Sequence, residues 1–325
     1  MHRHSLVIVT PALADANNGN WQTARRWAQM LQPAYRVRVA ASWHGGDERL
    51  MIALHARRSA ASIVAWRDAT QRPLLLALTG TDLYRDIHHD ADAMRSLVLA
   101  DVLIVLNQLG ARQLPAAHRP KCQVLLQSCT AWRCVPRTER HLRALMVGHL
   151  RAEKDPRTYF RAAWRLAARS DIRLDHIGAA LDPALGVEAA ALAARQRQYR
   201  WLGARPHAAT RRRIQAAHVL VHASCMEGGA HVVIEAMRSG TPVLASHIDG
   251  NLGLLGEDYA GTFAVGDDAG LAMLLEQARD DAAMLGRLRA QIALRAPLFS
   301  PEAESAALQR MVAQALARIT PGSHP

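Results

Sequence analysis

Cysteine is scarce in this chain: four residues in 325, Cys122, Cys129, Cys134 and Cys225. None of them makes a C-x-x-C pair, so the sequence indicates neither a disulfide-stapled scaffold nor a zinc or redox motif, and reduced thiols are expected. Long hydrophobic runs are missing as well. No apolar stretch reaches the eighteen or so residues of a membrane helix, and the short run at 6–10 leads into a polar Asn-Gly loop rather than a signal cleavage site. No stable membrane association and a cytoplasmic location are the expectation. Low-complexity segments are absent too, and with 50% apolar and 21% charged residues the chain has the balance of a globular protein.

Lysine is almost absent, although positive charge is not. Forty Lys and Arg oppose 28 Asp and Glu, a net charge of +12, and only Lys121 and Lys154 are lysines. Such a balance suits an anionic partner without choosing one. The arginines are interleaved with Ala, Leu and acids, as on solvated helix faces, and the densest run, Arg211-Arg212-Arg213, has no neighbouring aromatic to stack on bases. No nucleic-acid partner is therefore expected. Two clusters, His222 with Cys225 and His231, and His88 with His89, Asp90 and Asp92, lack the spacing of a known ligand set. No metal and no cofactor are expected.

The first 130 residues alternate β-rich runs with helical periods. Strands are expected at 6–10, 36–41, 74–79, 102–106 and 124–127, with a further apolar run at 50–55, and helices at 21–31, 57–70 and 91–99. Runs such as Leu74-Leu75-Leu76-Ala77-Leu78 imply strands buried on both faces of a parallel sheet. A second series follows, with strands at 145–147, 173–177, 200–202, 219–222 and 243–245 and helices at 155–168, 183–195, 208–217 and 230–239. Helices at 271–278, 281–295 and 301–319 close the chain. The expected division is a Rossmann-like domain at 1–130, a linker at 131–142, a second such domain at 143–298, a helix at 299–319 returning to the first domain, and a disordered tail at 320–325.

The most specific motif is Glu227-Gly228-Gly229-Ala230-His231-Val232-Val233-Ile234-Glu235, two glutamates eight positions apart across a Gly-Gly turn. The turn follows a strand and opens a helix, so backbone N–H groups of Gly228, Gly229, Ala230, His231 and Val232 and the positive helix end suit a phosphate. Glu235, on an apolar helix, needs a polar partner such as a ribose diol. Glu227 suits sugar hydroxyls; its bland alternative is complementing the helix dipole. The second motif, from Gly148 and His149 to Glu153, Lys154, Asp155 and Pro156, runs from a strand through a Gly-bearing loop into a helix. An ammonium there could neutralise a diphosphate leaving group without a metal, or merely pair with Glu153 or Asp155. Near the N-terminus, Asn17-Asn18-Gly19-Asn20 and Gly80-Thr81-Asp82-Leu83-Tyr84-Arg85 follow strand ends, where α/β sheets place ligands, although either could be an ordinary turn.

On these residues, with Ala236 to Val243 after the E-x7-E element, the chain resembles the GT-B glycosyltransferases of the family-four type over nearly its whole length. The resemblance implies an α/β protein of two Rossmann-like doubly wound domains facing a central cleft, with a helical C-terminal segment. It implies that Glu235 holds the ribose of a nucleotide-sugar, that Glu227 approaches the donor sugar and that Lys154 contacts the diphosphate. His149 stands where the family usually has an arginine. Within that superfamily, Thr10-Pro11, the 78–86 segment and the 147–156 segment resemble the selenosugar synthases of selenoneine biosynthesis. That resemblance implies transfer from a UDP-sugar, UDP-N-acetylglucosamine, to selenophosphate, forming a carbon–selenium bond, and the Lys154 ammonium makes the expected step metal-independent. Asn17, Gly19, Asn20, Thr81 and Arg85 then suit the acceptor, with Gly19 close to the reacting centre alongside Lys154 and Glu227, and Arg25 and Arg26 in reserve. The competing expectations are an ordinary hexosyltransferase acting on a saccharide or lipid hydroxyl, and a non-catalytic binding protein.

Overall fold

The structure, a computed structural model, describes residues 3–13 and 19–317. The chain divides into two compact units. The first comprises Met1–Ser128, Glu227–Gly229 and Pro301–Pro325, and the second Cys129–Met226 and Ala230–Ser300.

In the first unit β1 (Ser5–Val9), β2 (Arg36–Ala40), β3 (Leu50–Leu54), β4 (Leu74–Leu78), β5 (Val102–Val105) and β6 (Cys122–Val124) form one sheet in the order β2-β1-β3-β4-β5-β6. Every pairing is parallel. Alternate side chains of β1 enter opposite cores. Leu6 and Ile8 join Trp27, Leu31, Leu308 and Val312, whereas Val7 and Val9 join Ile63, Trp66 and Leu97. Apolar cover on both faces is why these strands read as unbroken apolar runs, each large buried side chain contributing about 1.5–3 kcal/mol. Helix Pro301–Ala317 belongs to the first of these cores.

In the second unit β7 (Leu142–Val147), β8 (Ile172–Ile177), β9 (Tyr199–Trp201), β10 (Val219–His222), β11 (Val243–Ser246) and β12 (Thr262–Phe263) form a second sheet in the order β12-β11-β10-β7-β8-β9. All of its pairings are parallel too. The strand order reverses between β1 and β3 in one unit and between β7 and β10 in the other. Crossovers leave on opposite faces at such a point, which opens a crevice outside the carboxyl ends of the two strands. No helix among the described residues is long and apolar enough to cross a membrane.

Several expected boundaries move. The strand expected at 124–127 is Cys122–Val124, because the chain leaves the sheet edge after it pairs with β5. The helix expected at 57–70 is Ala60–Ala69, since His55 at φ 75° turns the chain first. Helix Gly19–Leu31 starts earlier than the expected 21, so Gly19 and Asn20 lie in its first turn. The helix expected at 230–239 is only His231–Met237. Helix Asp249–Leu255 and β12 were not expected at all. The former is rich in Gly and Asn, poor helix formers, and is anchored by buried Asn251, whose Nδ2 donates to the Ser246 carbonyl at 2.9 Å.

Candidate functional site

In the second unit the reversal point joins two loops, one after β7 and one after β10. Cys225 N–H donates to the Glu153 carbonyl at 2.9 Å and ties them together. The 148–154 loop is built from below. Buried His176 on β8 lies 3.2 Å through Nε2 from the Gly148 carbonyl and 3.2 Å through Nδ1 from the Tyr199 hydroxyl. Burial pulls its pKa down to about 4, so the ring is neutral, with Nε2–H donating to Gly148 and Nδ1 accepting from tyrosine. A Cβ on Gly178 would lie 1.9 Å from the Gly148 carbonyl oxygen, so only glycine lets β8 end beneath this loop.

Lys154 ends a 3₁₀ turn, Ala152–Lys154, and its stem crosses Gly148, whose Cβ would stand 3.5 Å from the lysine Cγ and Cδ. Asp155, at φ 41°, caps the helix Pro156–Arg165 by accepting from Thr158 N at 3.3 Å and from its hydroxyl at 2.5 Å. That carboxylate is thus engaged by the helix start. The other lysine, Lys121, is structural: its Nζ donates to the Leu97 and Ala100 carbonyls at 2.6 and 2.7 Å. His149 accepts through Nδ1 from Ala179 N–H at 3.0 Å. Desolvation, reinforced by the Arg151 and Lys154 charges, lowers its pKa, so the neutral ring carries its proton on Nε2.

Glu235 is 4% exposed on helix His231–Met237, and its Oε1 lies 2.5 Å from His207 Nε2 and 3.5 Å from His231 Nδ1. The polar partner that its burial demands is therefore, within the protein, a pair of histidines. Burial raises its pKa, but the hydrogen bonds from His207 and His231 prevail and bring it down to about 2. His207, in turn, is raised by the bond to Glu235. Sequence reading missed His207, which is 28 positions away and opens the helix after β9 with no motif around it. His222 is a core histidine, 2% exposed, with Nδ1 2.9 Å from Asn251 Oδ1. No three of His, Cys, Asp and Glu group together to hold a metal ion among the described residues. Asp90, from the other suspected cluster, caps the helix Ala91–Leu99 by accepting from Ala93 N at 2.9 Å.

The Glu227–Gly229 turn belongs to the first unit. A Cβ on Gly228 would lie 2.4 Å from the Thr79 carbonyl oxygen, and one on Gly229 would lie 2.8 Å from Leu106 Cβ. Asn107 Nδ2 donates to the Gly228 carbonyl at 2.8 Å. These glycines thus permit a close approach of the turn to Thr79 and Leu106.

In the same unit the fully buried Asp82 organises the loop after β4. Its Oδ1 accepts from Thr79 N and Gly80 N, each at 2.9 Å, and its Oδ2 from Ala56 N at 2.9 Å. Thr81 Oγ1 stands 3.2 Å from Nε2 of buried His55, a residue that the sequence reading passed over because nothing around it repeats. Burial lowers the His55 pKa against the pull of Asp82 and Asp86. Asp86 receives Arg57 Nε and Arg85 Nε, each at 3.1 Å, so the two half-exposed guanidinium groups share one buried carboxylate. Gly19 is exposed with nothing within 4 Å of its Cβ direction, and Asn20 follows it, half-buried. Asn17 lies outside the described residues. Arg26 is no reserve for a ligand: its guanidinium is spent on buried Glu304, with Nε to Oε2 at 2.9 Å.

With the geometry in place, comparison places the chain among known proteins. Residues 135–294 match the model of the family "Glycosyl transferases group 1". Among solved structures, it is similar to sucrose-phosphate synthase from Thermosynechococcus elongatus, with 16% identity, a TM-score of 0.80, and 97% of this chain and 100% of that one covered. It is also similar to Anabaena HepE in complex with UDP and glucose, with 16% identity, a TM-score of 0.72 and coverage of 98% and 100%. For the lipopolysaccharide outer core galactosyltransferase WaaB the values are 12%, 0.70, and 96% and 99%. No curated protein sequence matches the chain. The paired doubly wound sheets are those of the GT-B fold, as the sequence led one to expect.

Proposed function

We propose that this protein of GT-B fold, whose residues 135–294 match the group 1 glycosyl transferase family, transfers a sugar from a UDP-sugar to a small anionic acceptor. The observation that carries the donor half is Glu235, a buried carboxylate kept ionised beside the loops of the β7/β10 reversal point. An ionised carboxylate can accept two hydrogen bonds from a ribose diol, with His207 yielding its place or bridging. The Lys154 ammonium and the His149 Nε2–H donate to the diphosphate, and the first-turn N–H groups of helix His231–Met237, which have no side-chain cap, add to them. Glu227 orients the sugar. Charge growing on the leaving diphosphate is met by Lys154, so the step needs no metal; full activity after exhaustive chelation is expected, and a strict Mg²⁺ or Mn²⁺ requirement overturns that part.

The donor is UDP-N-acetylglucosamine and the acceptor selenophosphate. Selenium attacks the anomeric carbon, the bond from that carbon to the diphosphate oxygen breaks, and UDP departs; hydrolysis of the Se–P bond then releases phosphate and leaves the selenosugar. Support comes from the 78–86 and 147–156 segments and from the first unit's cationic loops. Arg57 and Arg85 share one carboxylate, and the open N-terminal turn at Gly19 and Asn20 offers backbone donors. Thr81 adds a hydroxyl. A second reading, transfer to a saccharide or lipid hydroxyl, draws on His55, whose burial favours the neutral imidazole a general base needs and whose Nε2 lies 3.2 Å from the Thr81 hydroxyl that would relay to an acceptor. UDP release, measured with and without selenophosphate and coupled to mass spectrometry of the product, tests the assignment. Selenophosphate-dependent release with a selenium-bearing sugar is expected; release that requires an alcohol acceptor instead overturns it. Separately, Glu235→Ala should weaken UDP binding by about 1.5–3 kcal/mol in calorimetry.

A further inference from the structure

The second unit contains a cavity that the transfer reaction does not use. It measures ≈ 310 Å³ and is lined by Arg143, Leu145, Asp175, Ala209, Arg212 and Arg213, a volume at the low end of small-molecule sites. Its floor is formed by Arg143 and Leu145 of β7 and Asp175 of β8, and the exposed Arg173, outside the lining, stands opposite Arg143 in register. Its roof is helix His207–Ala216, which presents alanine at 209 and so leaves the space unfilled. A sheet face beneath a helix is ordinarily apolar. Here it carries arginine on adjacent strands, with one buried carboxylate among them.

That carboxylate is already committed. Asp175 takes Arg200 through Nε at 2.8 Å and through its second nitrogen at 2.9 Å, and Arg213 stands 3.7 Å away. Of the lining cations, Arg212 is exposed at the cavity mouth and has no side-chain partner among the described residues, whereas Arg143 Nε is buried without an acceptor. A buried guanidinium N–H without an acceptor is costly, so the cavity is electrostatically incomplete. Nearby His141 shows the same excess: desolvation, then Arg173, Arg143, Arg279 and Arg200, lower its pKa, and its Nε2 is also buried and unpartnered.

We infer that this cavity binds a small, multiply charged phosphate compound, a monoester or a diphosphate, at a site separate from the donor loops. Arg143 is the second residue of β7 and Gly148 follows its end, a separation of about 16 Å along an extended strand. Planar guanidinium forks suit phosphate oxygens bidentately. The pocket is roofed by a helix and lined by no aromatic ring, which favours a compact anion over a polynucleotide.

The test is calorimetric titration of the full chain with inorganic pyrophosphate at fixed ionic strength, with saturating UDP present so that any donor site is already filled. One saturable site is expected, weakened at least about tenfold by Arg212→Glu and further by Arg143→Leu, with the thermal midpoint of Arg212→Glu unchanged. Absence of saturable binding overturns the inference, as does an affinity that neither substitution alters. Tight binding of a single-stranded RNA oligonucleotide that pyrophosphate fails to displace, and that Arg212→Glu abolishes, overturns it in favour of a nucleic-acid surface.

Discussion

At the scale of single residues, the Glu235–His207 pair couples stability to pH at both ends. Glu235 has a folded pKa of about 2 against an ordinary 4.5, so its contribution is fully present above about pH 4.5 and is lost as pH falls from there to about 2. The His207 value is raised, so its contribution is present below its ordinary 6.5 and is lost as pH rises through the higher folded value. The pair is therefore strongest between about pH 5 and 6.5. The stability gap between the parent and Glu235→Gln, measured by urea unfolding, should be largest in that window and close as pH falls towards 2. A gap that stays constant down to pH 2 would show that the carboxylate charge contributes nothing. Lys154 belongs to the same scale. Lys154→Ala should lower kcat by about 10²-fold with little change in sugar-donor KM, because its charge matters most as the diphosphate departs. An increase in KM alone would assign it to ground-state binding.

At the scale of elements, the loops are held by glycines that meet the protein's own backbone. Gly178→Ala sets a Cβ 1.9 Å from the Gly148 carbonyl oxygen, and Gly228→Ala sets one 2.4 Å from that of Thr79. Backbone cannot yield as a flexible side chain can, so each should destabilise the protein by about 1–3 kcal/mol in denaturant unfolding. Gly19→Ala meets nothing within 4 Å and should leave stability unchanged. If Gly19→Ala nevertheless lowers turnover, a ligand approaches there. Sequence alone placed glycine at 228 and 229 in a strand-to-helix turn, but not against Thr79 and Leu106. The contact with Thr79 and Leu106 is distant in sequence and leaves no local trace.

At the scale of the whole molecule, the chain end completes the first unit. Glu304 on helix Pro301–Ala317 is 1% exposed and gathers Arg26 Nε at 2.9 Å, Trp27 Nε1 at 2.7 Å and Ser128 N at 2.8 Å. Glu304→Ala strands a partly buried guanidinium and an indole N–H, and should cost about 3–5 kcal/mol, read as a lower midpoint in thermal unfolding. Glu304→Gln, which keeps acceptors for the indole and the Ser128 amide, should cost less. Equal losses for the two would mean that shape rather than charge matters at this position.

The βα alternation, the buried parallel strands and the polar turns at strand ends were legible in the sequence, because hydrophobic period and turn chemistry are local properties. The 78–86 and 148–154 segments could be singled out for the same reason. Strand order could not be read, and it is the order that sets β7 against β10 and so brings the Lys154 loop beside the loop leading to Glu235. Nor could the partners of buried charge be read: His207 for Glu235, Arg26 for Glu304 and Arg200 for Asp175. A buried charge demands a partner wherever the fold can bring one. The sequence therefore determined that such partners must exist, and only the tertiary structure decided which residues they are.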